Sequence, residues 1–144
     1  MSEPFDSPDY DAAHDEVMAV SLPPHSVEAE QSVLGGLLLE NSAYDRIADI
    51  LTEEDFYRQE HRYVFRAIAR LIELSRPADV VTVQEQLQQQ DELSAVGGLP
   101  YLISLAQNTP SAANIRRYAE IVRERSVRRQ LAKVGTEIAE MARN

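Results

Sequence analysis

From Val27 onward the apolar residues of this chain recur at three- and four-residue steps, the spacing of helices with one buried face, and no segment requires a sheet. Val27, Leu34 and Leu38 share a stripe with Val33 and Leu37 beside it, which predicts a first helix. Ser26 can cap it, Glu28 and Glu30 suit the positive end of its dipole, and Pro23-Pro24 forbids helix just upstream. Gly35 and Gly36 sit in its middle at a cost of about 1 kcal/mol each against Ala, so they imply either close approach of another backbone or a bend. Asn41 or Ser42 can cap a short second helix carrying Tyr44, Ile47, Ala48 and Leu51. Thr52 with Asp55 then makes a capping-box variant for a short helix through Phe56.

The clearest periodicity runs from His61 to Ser75. Val64, Phe65, Ile68, Leu71 and Ile72 line one face of this segment, and Arg62, Arg66, Arg70 and Glu73 fill the other. Pro77 ends it. Val80-Val81 reads as an extended pair, and Thr82-x-x-Glu85 as a capping box opening a Gln-rich helix anchored by Val83 and Leu87. Gly97-Gly98 breaks the chain, Pro100 suits a first helical turn, and Tyr101, Leu102, Leu105 and Ala106 mark the next helix, stopped at Asn108-Thr109-Pro110. Ser111 is placed to cap a last, long helix from Ala112 to about Ala142.

That last helix carries two apolar sets. Ile115, Tyr118, Ala119 and Val122 form one stripe and Val127, Leu131, Val134, Ile138 and Met141 another, separated by a five-residue step that rotates the second stripe by roughly 140°. One end is expected to pack on the body and the other to present an apolar seam for self-association. The fold class is therefore all-α, an irregular array of about six or seven helices with a long projecting carboxyl-terminal helix. Residues 1–21, rich in Pro and acids, read as a disordered acidic tail, 22–110 as a globular helical body and 111–144 as the long helix.

Composition narrows the function. The 44% apolar content suffices for one core, and zero cysteines exclude disulfides and cysteine-bound metal. The absence of a long apolar run and of a basic leader gives the expectation of a soluble, cytoplasmic protein with no membrane partner. A net charge of −10 disfavours nucleic-acid binding over the whole surface, yet the charge is graded: residues 1–30 hold eight acids and no base, residues 111–144 four acids and eight bases. Arg116, Arg117, Arg123, Arg125, Arg128 and Arg129, with Lys133, concentrate that basic end. Guanidinium groups suit carboxylates or phosphates, so the cluster can be a solvated or internally paired face, a protein contact, or a nucleic-acid contact, without the aromatic interleaving that stacks single-stranded bases.

No motif points to catalysis. There is no G-x-x-x-x-G-K-[ST] loop, no G-x-G-x-x-G and no metal-ligating spacing among His14, His25 and His61. Glu53-Glu54 and Asp91-Glu92 are adjacent residues near element ends and read as solvated charge. The expectation is a chain with no enzyme activity, no cofactor and no metal site of its own.

Three stretches then resemble the amino-terminal domain of DnaB-type replicative DNA helicases. They are Pro23-Pro24-His25-Ser26-Val27-Glu28-Ala29-Glu30-Gln31-Ser32-Val33-Leu34-Gly35-Gly36, Asp55-Phe56-Tyr57, and Val96-Gly97-Gly98-Leu99-Pro100-Tyr101-Leu102 running into Asn108-Thr109-Pro110-Ser111-Ala112-Ala113-Asn114-Ile115, in matching order and spacing. The resemblance implies a collar domain that pairs through a helical hairpin into a trimer-of-dimers hexamer and docks the helicase-binding domain of primase, with a helicase loader as a further partner. It also implies that ATP and Mg belong to a separate RecA-like domain of a longer parent helicase, and it suggests that the last helix is the first arm of the hairpin, whose second arm would lie beyond Asn144. The alternatives are a DNA-contacting module gripping phosphates through the arginine helix, and a stand-alone replication scaffold.

Overall fold

Six α-helices and three single 3₁₀ turns make up the computed structural model, which describes residues 22–144, with no strand among them. The acidic tail expected over Met1–Ser21 lies outside the described residues. In chain order the helices are α1 (Val27–Leu39), α2 (Tyr44–Ile47), α3 (Gln59–Glu73), α4 (Val80–Gln89), α5 (Gly98–Gln107) and α6 (Ile115–Arg143), and the 3₁₀ turns are Asn41–Ala43, Glu53–Asp55 and Ser94–Val96.

Helix α1 is the axis of the fold. It is apolar around most of its circumference, buries Val33, Leu34, Leu37 and Leu38, and packs against α3, α5 and α6 at once. Ser26 caps it as expected, its Oγ accepting from the Ala29 amide. Gly35 makes this packing feasible, because a Cβ there would collide with Thr109 Oγ1 and the Leu105 carbonyl at the end of α5. Close approach, not a bend, explains that glycine. At Gly36 the added carbon would meet the tip of Ile115 from α6, at 3.1 Å.

Several boundaries differ from the sequence reading for local reasons. Helix α4 begins at Val80, so Val80-Val81 is a first helical turn and not an extended pair. Asp79 is the cap: its carboxylate accepts from the Thr82 amide while Thr82 Oγ1 accepts from the Asp79 amide, which leaves Glu85 outside the box. Helix α3 starts at Gln59, two residues before His61, and ends at Glu73, with Ser75 in the left-handed region at φ 60°. Phe56 is extended and fully buried, not helical. Helix α6 starts at Ile115, because Ser111 Oγ turns instead to the Ala113 amide within the preceding loop. Asn41 caps nothing. Its side chain ties the Leu37 carbonyl to the backbone of Ala78, stapling the end of α1 to the approach to α4.

The core also contains a polar network that periodicity did not foresee. Glu30, expected as a dipole-side surface acid, is 1% exposed and its carboxylate accepts from the Tyr57 amide at 2.7 Å, from the Arg58 amide at 3.4 Å and from His61 Nδ1 at 2.7 Å. Gln31 Nε2 donates to the Tyr101 hydroxyl, which is also hydrogen-bonded to His61 Nε2 at 2.6 Å. Both ring nitrogens of His61 have partners, and the chain of bonds links α1, α3 and α5.

Two contrasts test this account. Gly35→Ala should lower Tm by about 5 °C or more through overpacking, whereas Gly36→Ala should change it by under about 2 °C, since helix propensity offsets a contact with a flexible methyl. Thermal melts of both variants decide it, and equal Tm values would refute the close-approach argument. Glu30→Ala should cost about 2–4 kcal/mol in urea unfolding because one buried and two partly buried donors lose their acceptor, while Glu28→Ala in the same turn should cost under about 0.5 kcal/mol.

Candidate interaction surface on the carboxyl-terminal helix

Helix α6 has 29 residues, or roughly 43 Å at 1.5 Å per residue, far longer than the body it crosses. Its amino-terminal half belongs to the core. Ile115, Ala119 and Val122 are buried against α1, α2 and the Glu53–Asp55 turn. The stripe that faces the body does not stop at Val122. It continues at helical spacing into Ser126, 2% exposed, and Arg129, so the body-facing side becomes polar just where the apolar residues step to another face.

Asp55 receives that polar stripe. Its buried carboxylate accepts from the Thr52 amide through Oδ2 and, through Oδ1, from Arg123 Nη1 and Ser126 Oγ, each at 2.8 Å. Its carbonyl oxygen accepts from Arg129 Nη2 at 2.7 Å, and the other terminal nitrogen of Arg129 donates to the Pro24 carbonyl at 2.8 Å. The Arg129 guanidinium lies 5.4 Å from the Tyr57 ring centroid, and the His25 ring stacks on Tyr57 at 4.2 Å. Burial pushes the Arg129 guanidinium below its ordinary value, against the opposing pull of Glu30. Helix α6 is thus clamped to the body through one turn on each side of Ser126.

Beyond the clamp the second stripe is bare. Leu131, Val134, Ile138 and Met141 are 67%, 49%, 61% and 75% exposed, with Val127 half-buried at the junction. Their steps of four, three, four and three residues make a straight seam of the kind that pairs two helices. No atom lies within 4 Å of where a Gly135 side chain would begin.

The six arginines of the basic cluster divide into two groups. Arg123 and Arg129 are committed to the clamp. Arg116 donates to the Arg46 carbonyl and lies 3.8 Å from Glu120, Arg117 pairs with Glu120 at 3.6 Å, and Arg125 and Arg128 both reach Glu124. Exposed pairs of this kind contribute about 0–1 kcal/mol and rearrange easily, so Arg116, Arg117, Arg125 and Arg128 remain available to an incoming group. Sequence reasoning missed Asp55 and Tyr57 as partners of this helix and Ser126 as the residue that meets Asp55. The signal for Ser126 was its position four residues after Val122, on the core stripe.

Among the described residues no helix is long and apolar enough to cross a membrane. The family described as DnaB-like helicase N terminal domain matches residues 22–124. The replicative DNA helicase DnaB of Haemophilus influenzae is 46% identical over 121 residues, which cover 84% of this chain and 26% of that protein, so the chain spans about a quarter of the length of this relative. The crystal structure of the N-terminal domain of DnaB helicase from Mycobacterium tuberculosis is 41% identical and superposes with a TM-score of 0.83, covering 85% of this chain and 89% of that one. The N-terminal domain of DnaB helicase from Helicobacter pylori, a structure described together with its interactions with primase, shares the fold at 23% identity and a TM-score of 0.68 over 81% of this chain and 90% of that one. Sequence and helical architecture agree, and this chain belongs to the family of DnaB-like helicase N-terminal domains.

Proposed function

We propose that this chain is a non-catalytic collar domain of a replicative DNA helicase, which pairs with a second copy through α6, assembles as a trimer of dimers and docks the helicase-binding domain of primase. The observation that carries the proposal is the bare seam of Leu131, Val134, Ile138 and Met141 on a helix whose other face is clamped to the body. Burying a Leu- or Ile-sized side chain is worth about 1.5–3 kcal/mol, so leaving four of them in water favours association over a solitary arm. The clamp supports this reading, because it fixes the direction in which the seam faces before a partner arrives. A complete hairpin would add a second arm beyond Asn144, giving each copy two seams to exchange.

Support for primase docking comes from the Helicobacter pylori neighbour, whose structure is described with its interactions with primase. Arg116, Arg117, Arg125 and Arg128 are the residues proposed for partner contact, and a helicase loader is a further candidate for this surface. Hydrolysis of ATP with Mg and movement along DNA would reside in a RecA-like part of the helicase, with this chain acting in the cytoplasm by shape and surface charge.

Two measurements test the proposal. In sedimentation equilibrium the full 144-residue chain should self-associate, and Leu131→Asp should weaken association by at least about tenfold, whereas Val81→Asp, an equally exposed position on the body, should not. Unchanged association in Leu131→Asp would sink the seam. In fluorescence titrations with labelled single- and double-stranded DNA, affinity should be negligible at about 0.15 M salt, while a steep log-linear dependence on salt would favour an arginine helix that grips phosphates.

A further inference from the structure

A second surface lies on the body, away from the seam. A cavity of about 680 Å³ opens between α2, α3, α4 and the Glu53–Asp55 turn, within the range of about 300–1,000 Å³ that binding pockets occupy. Its floor is apolar, with Leu51, Phe65, Ala67 and Leu87 all buried. Its rim is acidic. Glu53, Glu54, Glu73 and Glu92 stand against only two bases, Arg66 and Arg70.

Neutralisation within this rim is incomplete. Arg66 is shared between Glu53 and Glu92, and its 3.3 Å approach to Glu53 Oε2 is an ion-pair contact without a hydrogen bond, so that buried oxygen has no hydrogen-bond partner. Glu54 and Arg70 form no ion pair among the described residues. Tyr44 donates to Glu73 at 2.9 Å, and burial, with that carboxylate adding to it, pushes its phenol up to about 12.

An apolar floor ringed by incompletely compensated carboxylates repels phosphates and nucleotides. It accepts an apolar side chain flanked by cations, whose stems cover apolar surface while their charges meet the rim. The geometry points to a docking groove for a cationic segment of a partner protein, anchored by a leucine-sized side chain on the floor and held by arginine or lysine against Glu53, Glu54, Glu73 and Glu92. The groove shares no residue with α6, so this inference stands or falls separately from the collar reading.

Fluorescence anisotropy on the full chain, with a fluorescein-labelled RLRLR peptide at about 50 mM salt, tests it. The peptide should bind, and RGRGR, which lacks the anchor, should bind at least about tenfold more weakly. Glu54→Lys combined with Glu73→Gln reverses the rim charge while retaining an acceptor for Tyr44, and should weaken binding by at least about tenfold. Arg70→Glu removes a base from the rim and should tighten binding several-fold. No binding of RLRLR, or equal affinity for the parent chain and both rim variants, would overturn the proposal, provided that circular dichroism shows the variants folded. A fall in self-association of the Glu54→Lys, Glu73→Gln variant in sedimentation would also overturn it, by assigning the groove to a second copy of the chain.

Discussion

Among the four consecutive residues Asp55 to Arg58, backbone partners reach only the Asp55 and Phe56 amides and the Arg58 carbonyl, and side chains from three helices supply much of the rest. Glu30 of α1 accepts from the amides of Tyr57 and Arg58, Arg62 of α3 donates to the Phe56 carbonyl at 2.7 Å, and Arg129 of α6 donates to the Asp55 carbonyl. Buried backbone groups must be paired, and an extended segment in the middle of a helical body cannot pair with itself. The solution makes the segment a hub. Phe56 plugs the core, and the polar groups on either side of it fix how α1, α3 and α6 are oriented relative to one another.

The dependence on that hub explains which parts of the fold could be read from the sequence. Helical stripes were legible because they record burial of large apolar area: Val64, Phe65, Ile68 and Leu71 on α3, and Val83 and Leu87 on α4, lie in the core as their spacing requires. Helix starts were less legible, because Ser, Thr, Asp and Asn compete for the cap and only local geometry selects one. Thr82 looked like a cap when Asp79 held that role. The hub itself was illegible as chemistry. Glu30 reads as an ordinary first-turn acid and His61 as a helix-start residue, and nothing in periodicity says that they meet across 31 positions of chain. A charged residue on an otherwise apolar stripe, Glu30 with Val33, Leu34 and Leu37, was the available clue.

The same distinction applies to the candidate site. The five-residue step from Val122 to Val127 correctly indicated that the apolar face of α6 turns, and the turned face is the exposed one. The step did not reveal what takes its place against the body. Ser126 and Arg129 do, and both would pass for solvent-facing residues in a helical wheel that counts only apolar positions. The arginine cluster was legible as a cluster but not as two populations, since the division between Arg123 and Arg129 on one side and Arg116, Arg117, Arg125 and Arg128 on the other depends on where Asp55 and Glu124 lie.

A polar clamp suits a helix whose other face is apolar and exposed. Had α6 been held beyond Val122 by further apolar residues, its two faces would compete for the same kind of surface, and the arm could roll to bury the seam against its own body. Hydrogen bonds to Asp55 and Pro24 carry direction, so Ser126 and Arg129 fit in one rotation of the helix and lose their partners in any other. Rolling the seam inward would strand a buried carboxylate, a carbonyl and a guanidinium at once, at about 1–3 kcal/mol for each unsatisfied group. The clamp therefore stabilises the exposed placement of Leu131, Val134 and Ile138 by making the covered alternative costly.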